Sequence, residues 1–291
     1  MHRAGFILFS VLLSISAASA AQSLGGTAGA IGAVPAGNPA AAKAAGTPPE
    51  PAQLTALSTT DFTDAWWTAS ESGWGLSIIH QENVMALVFY VYNQQGGATW
   101  YLSPATFNSA TGNYQGPLFA STGPYFGAGT FNPNGVNQVS VGAATFTPSS
   151  IYAGTLSYTV NNVSVTKSVT RTSFNTIAYS GDFVAGLAGT LSGNCGGTGS
   201  FEGTAFLGIN QTASSIQLTL QGSGGSCVMS GPFQQNGRLG RMASGTINCT
   251  GGQPGTATID EIDVNRSGVT LRYTSIIGGC TETARIGAVR R

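Results

Sequence analysis

From about residue 60 onward the chain alternates apolar residues with hydroxyl-bearing or small ones, and Gly, Asn and Ser mark the breaks. A period of two belongs to strands with one buried face, because successive side chains point to opposite sides of a sheet. The clearest case is Tyr152, Gly154, Leu156, Tyr158 and Val160, interleaved with Ala153, Thr155, Ser157 and Thr159. Asn161 and Asn162 supply a two-residue turn, after which Val163, Val165, Lys167, Val169 and Arg171 alternate with Ser164, Thr166, Ser168 and Thr170. This predicts a tight antiparallel hairpin. Upstream, the same reading predicts strands over 64–69, 74–80, 84–92, 98–103, 113–121 and 136–146. Downstream it predicts strands over 178–184, 199–209, 215–221, 227–234, 239–249, 256–264, 269–275 and 283–289, with turns at Asn236-Gly237 and Ser267-Gly268. The predicted fold is therefore all-β. Each half holds about eight short strands joined by short turns, which suits a small antiparallel meander barrel that leaves no open edge. A pair of β-sandwiches is the alternative architecture.

The halves differ in composition, which separates them into domains spanning 61–175 and 176–291, with the boundary near 173–177. All the tryptophans fall in the first and all the cysteines in the second. Within the second, segments 195–227 and 249–280 echo each other through Gly203-Thr204-Ala205 and Gly255-Thr256-Ala257, as a repeated hairpin unit would. Ahead of both domains, His2 and Arg3, an apolar stretch over 6–15, and Ala18-Ser19-Ala20 read as a signal peptide over 1–20. That stretch is too short for a membrane-spanning helix, which needs about 20 apolar residues, so no membrane span is expected in the mature chain. Residues 21–60 are rich in Ala, Gly and Pro, carry only Lys43 and Glu50 as charges and contain no aromatic residue. Such a segment buries too little apolar surface to offset its ordering entropy and reads as a flexible tether.

Charge then narrows the function classes. Only 8% of residues are charged and the formal net charge is +0, against about 25% charged residues in an ordinary soluble domain. A nucleic-acid partner is not expected, because the chain has no basic stripe. The four cysteines of an exported chain point to two disulfides and a secreted or periplasmic location. Two pairings suit barrel strands whose cysteines gather at one end. One joins Cys195 to Cys227 and Cys249 to Cys280, and the other joins Cys227 to Cys249 and Cys195 to Cys280. The cysteine spacings lack a CxxC pair and the second domain has no histidine, so no metal site is expected, and no motif calls for a cofactor.

The most distinctive stretch is Trp66, Trp67, Glu71, Ser72, Gly73, Trp74 and Gly75, followed by His80 and Gln81, then Tyr90, Tyr92, Gly97, Trp100 and Tyr101. It resembles a family of exported Gram-negative bacterial proteins of uncharacterised function that carry WWxxxESGWG, then HQ, then a YxxxGxxxWY-like element. The resemblance covers the first domain and implies export and an all-β fold, with no activity to carry over. Read as residues, Trp66 and Trp67 point to opposite faces, so one of them faces outward as an interface or ligand rim. Glu71 and His80 sit at opposite ends of one strand, too far apart to act together, and His80 is expected to meet Glu82 across the next turn. Lys167 and Arg171 lie on the apolar face of their strand, where they call for a carboxylate partner such as Glu71 or Glu82, or a ligand carboxylate. The expected ligand set is Trp66, Trp67, Glu71, Trp74, Trp100, Tyr101, Lys167 and Arg171, with a mouth near Trp74, Trp100 and Tyr101. The expected function is a non-enzymatic structural or binding module that holds a small apolar or sugar ligand. A hydrolase of cell-wall or polysaccharide substrates using Asp64, Glu71 and Glu82 is the alternative, and an outer-membrane barrel is disfavoured.

Overall fold

Eight consecutive strands close the first domain: β1 (Asp64–Trp67), β2 (Gly75–Gln81), β3 (Val84–Tyr92), β4 (Ala98–Asn108), β5 (Asn113–Thr122), β6 (Asn137–Pro148), β7 (Ala153–Val160) and β8 (Val163–Arg171). Each pairs antiparallel with the next, and β1 returns to β8 with Trp66 opposite Arg171. The computed structural model describes residues 60–291 apart from Ala128 and Thr198. The expected signal peptide, and the expected tether up to residue 59, lie outside the described residues.

The alternation in sequence becomes inside and outside. Leu76 and Ile78, Met85, Leu87 and Phe89, Leu118, Phe146 and Leu156 all point inward and are at most 1% exposed. Trp66 fills the same interior, its ring 5.3 Å from that of Phe146 in an edge-on contact. The barrel is thus a packed core, which an eight-stranded closure is just wide enough to hold. On the outside of β6–β8 lies a band of hydroxyls, including the cross-strand pairs Ser157 with Thr166 at 3.1 Å and Thr159 with Ser164 at 3.4 Å. On these strands, apolar inside and hydroxylated outside is the reverse of the arrangement in an outer-membrane channel. Among the described residues no helix is long and apolar enough to cross a membrane.

The second domain repeats the plan with β9 (Gly181–Gly193), β10 (Gly199–Gln211), β11 (Ser215–Gly222), β12 (Gly225–Pro232), β13 (Gln234–Asn236), β14 (Leu239–Cys249), β15 (Gly255–Val264), β16 (Gly268–Ile277) and β17 (Cys280–Arg290). Pairing of β12 with β14 closes it into a second eight-stranded barrel, and the short β13 is annexed to the start of β14. Both domains are barrels, so the sandwich alternative falls. The sequence missed β13, and it placed the start of β9 three residues early. Tyr179 is instead tucked into the barrel end, where its amide donates to the Gln211 side chain and its hydroxyl to the Arg238 carbonyl.

The disulfides are Cys195–Cys280 and Cys227–Cys249, with Cα atoms 4.6 and 4.0 Å apart. The other pairing would have had to reach across the β10–β11 hairpin, about three strand spacings or roughly 14 Å, beyond a disulfide's span of about 7 Å. Neighbouring strands supply the right separation, and Cys227 stands directly opposite Cys249 in the ladder. All four cysteines sit at one end of the barrel, as the meander order requires. The hairpins β10–β11 and β15–β16 are the two repeated units seen in the sequence.

At its other end the second barrel meets the first. Arg171 is the pivot: its side chain is fully buried, and its guanidinium donates to the carbonyls of Ile151, Thr63 and Asp61 and to the Asp64 carboxylate at 3.0 Å, while lying 5.0 Å over the Trp66 ring. From the second barrel, Arg238 donates its amide to the same Asp64 oxygen, its Nε to the Thr63 carbonyl, and its remaining nitrogens to Asp61 and Asp263. The Tyr152 hydroxyl donates to Asp260 and accepts the Glu261 amide. Two arginines, one per barrel, therefore grip the 61–64 segment from both sides.

Candidate functional site

The opposite end of the first barrel is open to solvent and carries most of the distinctive motif. Loop 68–74 joins β1 to β2 there, with the Glu71 amide bonded to the Thr68 carbonyl. Glu71 is thereby set above the interior, where Lys167 points inward from β8, and the two form an ion pair at 2.6 Å. The Trp74 indole donates to the same Glu71 oxygen at 3.1 Å. The Lys167 ammonium beside it holds the Glu71 carboxyl below its ordinary range, with Trp74 assisting and desolvation opposing.

Below the ion pair the wall is aromatic and aliphatic. Trp74, Val91, Tyr101, Val141, Tyr158 and Val160 are half-buried and pack on the core. Tyr158 meets Phe89 edge-on at 5.1 Å. Burial raises the Tyr158 phenol above its ordinary value, and Lys167 counters this. Phe89 is 0% exposed and seals the interior beneath, so the site is a shallow mouth.

Of the expected ligand set, the structure brings Glu71, Trp74, Tyr101 and Lys167 together at this mouth. It separates the other four. Trp66 belongs to the core, with its indole donating to the Phe62 carbonyl at 3.0 Å. Arg171 lies at the inter-barrel junction with its donors spent. Trp67 and Trp100 are on the outer wall. Placing Trp100 at the mouth together with Tyr101 was an error, since neighbours on a strand face opposite ways and Tyr101 takes the inward place. Tyr158 was missed, although its phase in the β7 alternation puts it on the same face as Leu156. His80 meets Glu82 as expected, but through that residue's backbone and not its carboxylate. It points inward at the junction end, 3.9 Å from Asp61 and within hydrogen-bonding distance of the Phe62 amide and the Tyr114 hydroxyl. Glu82 instead stands exposed on the turn at φ 55°.

The carboxylates proposed for hydrolysis do not meet. Asp64 is paired with Arg171 at one end of the barrel, Glu71 with Lys167 at the other, and Glu82 lies exposed between β2 and β3. No protein-family model and no curated protein matches the chain. Among solved structures it is similar to the isotype 1 transferrin binding protein B of serogroup B Neisseria meningitidis, at 11% identity and a TM-score of 0.29, over 79% of this chain and 56% of that one. The chain thus spans little more than half of that structure, and at this TM-score the likeness transfers nothing to the mouth.

Proposed function

We propose that the protein is a non-enzymatic binding module, working outside the cytoplasm, whose first barrel takes one ring of a small molecule at the mouth. The observation that carries this reading is the inward lysine. A barrel filled only for stability has no need of a cation on its apolar face, where desolvation works against it. Lys167 is instead kept 29% exposed, beside Trp74, Tyr101 and Tyr158, under a carboxylate that is itself 42% exposed on loop 68–74. A ring-bearing acid fits, its carboxylate replacing Glu71 on Lys167 and its ring lying against Trp74 and Tyr101. Small apolar rings and single sugars are the weaker candidates, since they leave the ion pair unused. The two disulfides support an oxidising compartment.

The test is a tryptophan-fluorescence and thermal-shift screen of the mature protein against small aromatic acids, with their uncharged amides as controls. Trp74 touches the ion pair, so displacement of Glu71 changes its emission. Binding is expected for acids, and Lys167→Met is expected to abolish it. Ligand at a hundredfold excess over Kd adds about 2.7 kcal/mol to stability. Equal binding of acids and amides, or acid binding that survives Lys167→Met, would refute the reading.

A further inference from the structure

The residues that the mouth leaves out form a pattern of their own on the outer wall. Gly75 stands opposite Tyr90, and Tyr90 opposite Trp100, in the ladders of β2, β3 and β4. Trp66 pairs with Leu76, so the next step of that ladder sets Trp67 beside Gly75. Trp67, Gly75, Tyr90 and Trp100 therefore make one transverse row across four strands, facing away from the core, and Tyr92 lies one outward position further along β3. Gly75 has no side chain, which leaves bare backbone between the ring of Trp67 and that of Tyr90. Strand spacing makes this gap about 10 Å between anchoring backbones.

Trp67 is half-buried, while the other three rings are exposed and unused. Tyr90 is 52%, Tyr92 59% and Trp100 47% exposed. Trp66 and Trp74 both spend their indole N–H groups within the protein. Among the described residues, the Trp100 indole and the Tyr90 and Tyr92 hydroxyls have no such partner. Held on paired strands, the rings are rigid, amphipathic surfaces with free polar handles.

The surroundings select the occupant. From residue 83 to 166, which includes all of β3 and β4, the chain contains no Asp, Glu, Lys, Arg or His, and on the adjoining loop 68–74 the one carboxylate, Glu71, is already paired with Lys167, which leaves an ionic partner little to pair with. The barrel is closed, so an extended peptide cannot add to an open edge. Half of the roughly 200 Å² that such a ring presents, three times over, is about 300 Å², well short of the roughly 800 Å² per partner of a stable protein interface. Val88 and Leu102, the outward neighbours in the next row, are already half-buried. An area of two or three sugar rings, with flat apolar faces for C–H contact and uncharged donors at the edge, matches a neutral oligosaccharide. We infer that the row Trp67, Gly75, Tyr90 and Trp100, with Tyr92, is a second binding site, distinct from the mouth, that takes a neutral glycan chain laid across the barrel wall.

The test is isothermal titration of the mature protein with neutral hexasaccharides: β-linked glucose, α-linked glucose and β-linked N-acetylglucosamine. At least one is expected to bind, with an affinity unchanged between low and high salt. Trp100→Ala and Tyr90→Ala are each expected to weaken it by about tenfold or more. Both rings are exposed, so these variants keep the fold, which circular dichroism verifies. Gly75→Ala provides an independent check, because a methyl group would intrude on the bare backbone while leaving both rings in place. Trp74→Ala and Lys167→Met are expected to leave glycan binding intact, which separates this site from the mouth. The inference is overturned if none of the hexasaccharides binds, if binding is insensitive to Tyr90 and Trp100, or if Trp100→Ala instead abolishes self-association on ultracentrifugation, which would mark the row as a protein interface.

Discussion

Ser103 points into the first barrel, 0% exposed, with no partner for its hydroxyl. Such a group loses its water without compensation. Ser103→Ala is expected to stabilise the protein by about 1 kcal/mol in urea denaturation. Arg171 is the opposite case, a buried charge with its donors satisfied. Arg171→Met takes the donors from the Ile151 and Asp61 carbonyls and leaves Asp64 and Thr63 with Arg238 alone, and is expected to cost about 3–5 kcal/mol by the same assay. The hydrophobic pattern placed Arg171 on the inner face, and the need for a carboxylate partner followed from that. The choice of Asp64 over Glu71 or Glu82 did not, because it depends on β1 closing against β8. His80 makes a pH prediction. Burial holds its imidazole below the ordinary value, against the pull of Asp61. Its contribution is present above the unfolded value of about 6.5 and is lost as pH falls through the lower folded value. Melting temperature should therefore drop as pH falls from about 7.5 to about 5.5, and His80→Gln should flatten that slope.

Among the elements, the β7–β8 hairpin was fully legible, since a two-residue turn of positive-φ asparagines joins two clean alternations. The ends of strands were less legible. β1 stops at Trp67 and β9 starts at Gly181 because turns and tertiary hydrogen bonds, which leave no periodic trace, take over there. The disulfides were legible as a pair of alternatives, and strand adjacency decided between them. They close loops of unequal length, with sequence separations of 85 for Cys195–Cys280 and 22 for Cys227–Cys249. Chain entropy then gives losses of about 4.6 and about 3.4 kcal/mol on replacing each pair by serine. Thermal denaturation of the two double variants should rank them in that order.

For the molecule as a whole, the decisive feature is the grip on 61–64. Gly237 has φ +62°, and a Cβ there would run into the Asp64 carboxylate and lie 2.9 Å from Arg171 Cβ. Gly237→Ala should therefore pry the barrels apart while leaving each core intact, and Arg238→Ala should remove the second barrel's hold. Both variants are expected to convert one calorimetric unfolding transition into two, whereas the wild type melts as a unit. A single transition in both variants would show that the barrels are coupled by something other than this junction.

The sequence by itself determined the class of fold and, in the β7–β8 hairpin, which face of each strand is buried, because alternation is a local signal with a period fixed by backbone geometry. It also marked four residues of the mouth. Which residues meet was decided only by closure. Joining β1 to β8 and β9 to β17 brings together positions far apart in the chain, and with them Glu71 and Lys167, Asp64 and Arg171, and Cys195 and Cys280. The same closure divides the tryptophans among core, mouth and outer wall. Composition treats them alike, and only their phase around a closed sheet tells them apart.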